Sequence, residues 1–372
     1  MIRVIEHRTL IKAQNESLFS YFAWPSITRL PDGKLAAVCS GFRYAHICPF
    51  GKAVISYSED EGKTWTNPAP VIDTPLDDRD AGIMVFGDNK AIFTSFNNSV
   101  DQQREWAKKY ASVRPESVTN LINAYLDNVT EEQEEKYLGS TYKLSNDGGI
   151  TWGEEVYRLP LSAPHGPVRM LDGSLLYVGR MFMDKDERTN TGSGIGVMTS
   201  ADGLSWSEPV FVPAPEGMLD EYYLFCEPHA IQLPSGKILV HIRVQKDKSH
   251  GDQAVFAIYQ SVSTDGGKSF SVPERINPCG SPPHLMLHSS GALICTYGYR
   301  SVPYGQRVMI SWDEGKTWSG DHILRYDGPS WDLGYPASVE LKNGNILSVY
   351  YQRPTADAPS NIYCTEWELV RA

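Results

Sequence analysis

Ser58-Glu59-Asp60-Glu61-Gly62-Lys63-Thr64-Trp65 is a short phrase that the chain uses again and again. It returns as Ser145-Asn146-Asp147-Gly148-Gly149-Ile150-Thr151-Trp152 and, one residue shorter, as Ser200-Ala201-Asp202-Gly203-Leu204-Ser205-Trp206. Two later copies are Ser263-Thr264-Asp265-Gly266-Gly267-Lys268-Ser269-Phe270 and Ser311-Trp312-Asp313-Glu314-Gly315-Lys316-Thr317-Trp318. Every part of the phrase has a physical role. The Asp caps the amides of a tight turn, Gly takes the positive φ that the turn needs, and the aromatic packs back beneath it. Five copies in one chain make a repeat array.

A second repeat interleaves with the first, an apolar strand, a Gly turn and another apolar strand. Its copies run over Pro25 to Leu35, Val168 to Leu175, Ala230 to Ile238, Leu285 to Leu293 and Ser338 to Leu347. A degenerate copy, Ile83 to Ile92, turns at Asp88-Asn89. Six up-down units, none able to bury both faces alone, predict an all-β fold: a six-bladed β-propeller occupying residues 1–372 as a single domain. The last unit has no turn phrase and ends on the strand-like Asn361 to Trp367, so Arg3 to Ile11 is expected to add its outer strand. The even spacing breaks at 97–139, a stretch rich in Glu, Lys, Gln, Ala and Leu. Gln103 to Ser112 and Ser117 to Asn128 read as helices, a helical insertion in blade two that is either a solvated decoration or a lid.

The chain has 372 residues and a formal charge of −11, with no basic run to compensate. That disfavours nucleic acid as a partner while leaving room for an anionic small ligand held by a local Arg cluster. The six cysteines lack CxxC spacing and several fall in strand-like runs, which predicts buried free thiols. No segment reads as a signal peptide or a membrane span, so the expectation is a cytoplasmic protein, or a secreted or periplasmic one had a leader been trimmed.

In a propeller the residues just before each innermost strand converge on one mouth of the central channel. Here they are Trp24, Arg79 with Asp80, His165, Glu227 with His229, His284, and Tyr335. Each has an ordinary structural explanation taken singly. Their shared offset from six hairpin turns makes them candidates for one pocket.

The five phrases on a six-bladed array resemble the Asp-box (BNR) repeats of the sialidase, or neuraminidase, superfamily across the whole chain. The resemblance implies a glycoside hydrolase, exo-acting, on a glycan or acidic monosaccharide conjugate, with no cofactor and no metal. Glu227-Pro228, followed by Ile231 to Leu239 and Arg243, is similar to the sialidase segment holding the catalytic Glu and one Arg of the carboxylate-binding triad. Gly334-Tyr335-Pro336-Ala337-Ser338 resembles the segment of the nucleophilic Tyr, and Arg300 or Arg307 stands where another triad Arg is implied. A neutral Tyr, deprotonated by a Glu as it attacks, avoids the repulsion an anionic nucleophile meets at a carboxylate-bearing centre. Arg suits the carboxylate because its planar fork donates paired hydrogen bonds.

The departures are specific. The aligned first-blade phrase is Phe22-Ala23-Trp24-Pro25, without the triad Arg, and no acid/base Asp follows the first hairpin, where the chain reads Gly41 to Pro49. Arg43 is the candidate replacement guanidinium. His46, Asp78 and Asp80 compete for the proton-donor role. A divergent site with altered substrate choice fits these residues. Two other classes compete: a propeller lyase or hydrolase using His165, His229, His284 and Tyr335, and a non-catalytic glycan-binding propeller. A metal cluster of the same three histidines lacks supporting ligand spacing.

Overall fold

The computed structural model describes residues 1–14, 16–182, 193–219, 221, 223–246 and 255–370. Strand β1 (Ile2–Ile11) precedes the first full sheet, β2 (Tyr21–Arg29), β3 (Leu35–Arg43), β4 (Lys52–Ser58) and β5 (Ala69–Ile72). The second sheet is β6 (Arg79–Phe86), β7 (Lys90–Phe96), β8 (Ser140–Ser145) and β9 (Tyr157–Leu159), with helices α1 (Val100–Lys109), α2 (Glu116–Leu126) and α3 (Glu131–Tyr137) inserted between β7 and β8. In the third, the inner strand is split into β10 (Leu161–Ser162) and β11 (Val168–Arg169), both paired to β12 (Leu175–Met181), and β13 (Ile195–Ser200) and β14 (Val210–Phe211) follow. The fourth is β15 (Leu224–Gln232), β16 (Ile238–Lys246), β17 (Val255–Ser263) and β18 (Glu274–Asn277). The fifth is β19 (Pro283–Leu287), β20 (Leu293–Tyr299), β21 (Gly305–Ser311) and β22 (His322–Arg325). The sixth is β23 (Leu333–Glu340), β24 (Ile346–Gln352) and β25 (Asn361–Leu369), and β1 completes it in the order β1-β25-β24-β23.

These sheets are the blades of a six-bladed β-propeller. Each inner strand packs against the next around the ring, β2 on β6, β11 on β15, β19 on β23 and β23 back on β2. Every β-sheet alternates its side chains between two faces, so hydrophobic clusters form between neighbouring blades. One cluster joins Val38, Ile55 and Ala36 of the first blade to Ile83 and Phe93 of the second. The register of β1 on β25 pairs Ile2 with Leu369 and Ile11 with Ile362, closing the ring with the two ends of the chain in one blade.

The repeated turn phrase folds the same way wherever it occurs. At the second copy the Asp147 carboxylate accepts from the Thr151 amide (2.9 Å) and hydroxyl (2.6 Å) and from the Ile150 amide (3.1 Å). Gly149 at φ +95° donates to the Ser145 hydroxyl at 2.9 Å. Those hydrogen bonds, led by the one from the Thr151 hydroxyl, pull the Asp147 pKa down to about 2. The aromatics at the end of the phrase are only half-buried at Trp65, Trp152, Trp206 and Trp318, whereas Phe270 is buried. Each nevertheless packs against an apolar cluster of the blades.

The insertion has a core of its own. Val100, Ala107, Val118, Ile122 and Leu126 close over Leu76, with Tyr44 and Phe50 of the first blade packed against them. Gln103 donates to Asp77 at 3.2 Å and Tyr125 to the Pro75 carbonyl at 3.0 Å. Helix α3 is all polar and buries no residue; the Thr130–Gln133 capping box starts it.

Candidate active site

Four inner strands share one irregularity. Pairing slips by a residue between Ala23 and Ser26, Arg79 and Gly82, Cys226 and His229, and Gly334 and Ala337. The residue within each bulge lies in the left-handed region: Trp24 at φ +56°, Asp80 at +36°, Glu227 at +48° and Tyr335 at +53°. Such a conformation costs a non-glycine residue about 1–3 kcal/mol and persists only where surrounding structure enforces it. Four strained positions in one ring, at one place in the repeat, bring Asp80, Glu227 and Tyr335 together.

The Tyr335 hydroxyl donates to Glu227 Oε1 at 2.6 Å. Arg243 forms an ion pair with the other Glu227 oxygen and donates to the Tyr335 oxygen at 3.4 Å, while its second amino group donates to Gln245 at 2.6 Å. The Arg300 guanidinium lies 5.6 Å over the Tyr335 ring and donates to the Leu333 carbonyl at 3.1 Å. Burial works to raise the Glu227 pKa, but Arg243, Tyr335 and Arg300 outweigh it, and the carboxylate is held below its usual range. Burial together with the charges of Glu227 and Asp80 pushes the Tyr335 phenol well up, so it is neutral. The pair is a neutral phenol hydrogen-bonded to an ionised carboxylate, which can accept its proton.

Asp80 is buried, and its Oδ1 has no partner among the described residues. Burial, with Glu227 nearby, raises its pKa to about 7 against the opposing pull of Arg79. With Glu227 it lines a pocket of about 290 Å³ that also includes Arg180, Phe182 and Asn98. Of the three proton-donor candidates, Asp80 is the one beside Glu227. Asp78 is spent elsewhere: it is fully buried and accepts from the Thr74 amide (2.7 Å) and hydroxyl (3.0 Å). His46 sits beyond Trp24, its Nδ1 3.0 Å from Asp332 and its ring 5.0 Å from the Trp24 ring.

Several expected ligand residues take other positions. Arg43 is fully buried and bound to both oxygens of Asp77 (2.5 and 3.0 Å), so it supplies no guanidinium to a ligand. Arg307 donates to the carbonyls of Arg325 (2.9 Å) and Pro303 (3.3 Å) and stacks on Tyr299, which leaves Arg300 as the guanidinium of that blade near Tyr335. Trp24, 1% exposed, is a spacer rather than a pocket wall; Arg79 stacks on it at 4.1 Å and Arg43 at 4.8 Å. His165, His229 and His284 are buried in the channel against one another, the last two stacked at 4.3 Å. His229 Nδ1 accepts from the Leu285 amide at 3.0 Å, and burial lowers the pKa of all three, His284 to about 3. None of these three histidines is therefore an accessible base for the lyase reading. Among the described residues no group of three or more His, Cys, Asp or Glu is arranged to hold a metal.

Two functional candidates escaped the sequence reading although a signal existed. Arg180 follows its Gly turn at the same offset as Arg243 in the next blade, β12 and β16 being equivalent strands. Asp332 stands three residues before Tyr335, again just ahead of an inner strand.

No protein-family model matches the sequence, and no curated protein matches it. Similar solved structures are numerous. A Dyadobacter fermentans protein of unknown function is 21% identical and matches over 99% of both chains with a TM-score of 0.74. The NanB sialidase of Streptococcus pneumoniae is 13% identical over 97% of this chain and 70% of its own, with a TM-score of 0.66. The α-L-arabinofuranosidase Arb93A of Fusarium graminearum is 13% identical over 98% of this chain and 97% of its own, with a TM-score of 0.64. At such identities the likeness is one of fold, a propeller that glycoside hydrolases use.

Proposed function

We propose that the chain is a glycoside hydrolase in which Tyr335 attacks the anomeric carbon, Glu227 takes the phenolic proton and Asp80 gives its proton to the departing oxygen. The observation that carries this reading is the 2.6 Å hydrogen bond from Tyr335 to Glu227 at two strained bulges. In the second step water attacks the anomeric carbon and displaces the Tyr335 oxygen, Asp80 accepts the water proton, and Glu227 returns its proton to Tyr335. Each step balances, and two displacements retain the anomeric configuration. Arg243 and Arg300 stabilise charge on Tyr335 and Glu227 as the proton moves.

An acidic sugar suits a neutral nucleophile flanked by guanidiniums. A second reading, a neutral sugar such as an arabinofuranoside, is supported by Trp24 standing where the family resemblance puts an Arg and by Arg43 being committed to Asp77. Digestion of sialosides and arabinosides, followed by end-group analysis, separates them. New reducing ends without an unsaturated product, abolished in Tyr335→Phe, are the expected result. An unsaturated uronate product, or full activity in that variant, would refute the mechanism.

A further inference from the structure

A second, larger cavity of about 1040 Å³ is lined in part by Tyr44, His46, Tyr110, Arg114, Trp331 and Arg353. Five stretches build it: the run leading into β2, the loop between β3 and β4, the stretch joining α1 to α2, the loop ahead of β23, and the loop between β24 and β25. Its size lies at the top of the range of ligand sites, roughly 300–1,000 Å³, whereas the pocket at Asp80 and Glu227 holds about 290 Å³.

The walls combine flat aromatic faces with oriented hydrogen-bonding groups. Trp331 is 56% exposed, its ring 6.0 Å from that of His46. Arg114 stacks over both Tyr110 (5.4 Å) and Tyr44 (5.9 Å), tying the insertion to the first blade. The base of the cleft is a fixed polar network. Asp332 accepts from Tyr21 (2.9 Å), Tyr351 (3.1 Å) and Arg353 Nε (2.8 Å), and pairs with His46 Nδ1 at 3.0 Å. A carboxylate so surrounded orients the imidazole with Nδ1–H toward it, leaving Nε2 as an acceptor for whatever enters.

We propose that this cleft binds the part of an oligosaccharide beyond the cleaved bond, with Trp331 and the Tyr44–Arg114–Tyr110 stack as its stacking surfaces and His46 and Arg353 as hydrogen-bonding groups. The assignment of its occupant as the leaving portion rests on the hydrolase reading above. A sugar chain presents apolar C–H faces and a rim of hydroxyls, which is the complement of aromatic faces alternating with polar heads. A lipid chain would need continuous apolar walls, and here Asp332, Arg353 and His46 interrupt them.

The test uses a broad oligosaccharide array and calorimetry with the Tyr335→Phe protein, in which turnover is blocked. Chains of several units are expected to bind about tenfold tighter or more than the matching disaccharides. Trp331→Ala removes that gain, while Trp312→Ala, an exposed tryptophan on another blade, leaves it intact. Failure to bind any oligosaccharide, affinity independent of length, or equal effects of the two tryptophan variants would overturn the proposal. If length-dependent, Trp331-dependent binding is seen but the unmodified protein releases no sugar, the hydrolase reading fails and the cleft assignment stands. Sugar release with a rate indifferent to chain length and to Trp331 has the opposite meaning.

Discussion

In the proposed mechanism Tyr335, Glu227 and Asp80 divide the chemistry by the company each keeps. Glu227 sits against Arg243 and stays ionised; Asp80 has a buried oxygen without a partner among the described residues and keeps its proton up to a pH of about 7. Under the proposed mechanism activity requires Glu227 charged and Asp80 neutral, which predicts a bell in kcat/KM whose alkaline limb falls near pH 7 and whose acid limb lies below the ordinary carboxylate range. Asp80→Asn should lower kcat by about 10²–10⁴-fold and erase the alkaline limb. The same substitution should stabilise the protein. A carboxyl whose folded pKa is raised from 3.8 to about 7 binds its proton more tightly folded than unfolded, so stability declines as pH rises through that window. Thermal melting at pH 8 should show Asp80→Asn gaining on the order of a few kcal/mol, a gain that vanishes below about pH 4. Tyr335→Phe should cost at least about 10³-fold in kcat with little change in ligand affinity, read by steady-state kinetics beside calorimetry.

The elements carry what was legible from sequence and what was not. The Gly-turn hairpins and turn phrases announce their strands because turn chemistry is local, so the blades and the closing strand β1 could be read directly. The shared offset from the Gly turns also marked Asp80, Glu227 and Tyr335 as neighbours, but not the backbone conformation that aims them. The bulges at Trp24, Asp80, Glu227 and Tyr335 depend on register between strands, and nothing in a single strand's alternation encodes them. Arg43 and Asp77 illustrate the same limit: their buried pairing is a tertiary choice between a loop and a strand end far apart in sequence. How deeply the turn aromatics sit is likewise a tertiary matter. Trp318 is half-buried, with its Nε1 donating to Gln260 at 3.1 Å, so Trp318→Ala should cost about 1–3 kcal/mol in a urea titration rather than the roughly 3–5 of a core tryptophan. The insertion also answers differently from a detachable lid. Its core closes over Leu76, so deleting α1 and α2 should lower the melting temperature, while replacing the exposed tip Ala111–Val113 with a flexible linker should alter ligand affinity alone.

At the scale of the whole molecule, stability depends on the ring being closed. Strand β1 buries Leu10 and Ile11, and Ile2 and Val4 pack on the cluster around Trp367. Deleting residues 1–11 removes those side chains from water-excluding contact. Burial of Leu10 and Ile11 by itself is worth about 3–6 kcal/mol, a large share of the roughly 5–15 kcal/mol that holds a domain folded. The deletion also leaves β25 as an unpaired edge, which invites association through its free amides and carbonyls. If closure is what matters, rather than where the chain starts, a circular permutant should escape both penalties. The ends are adjacent: the Val370 amide donates to the Met1 carbonyl at 2.9 Å. Joining them by a short Gly/Ser linker and opening the chain at Leu204, exposed in the third turn phrase, keeps β1 paired to β25 while cutting a connection outside the sheet. The permutant should melt within a few degrees of the parent and remain monodisperse in light scattering, and the truncated chain should aggregate or unfold. Equal destabilisation of the two would mean that the third turn, not the seam in the sixth blade, is the element on which the ring depends.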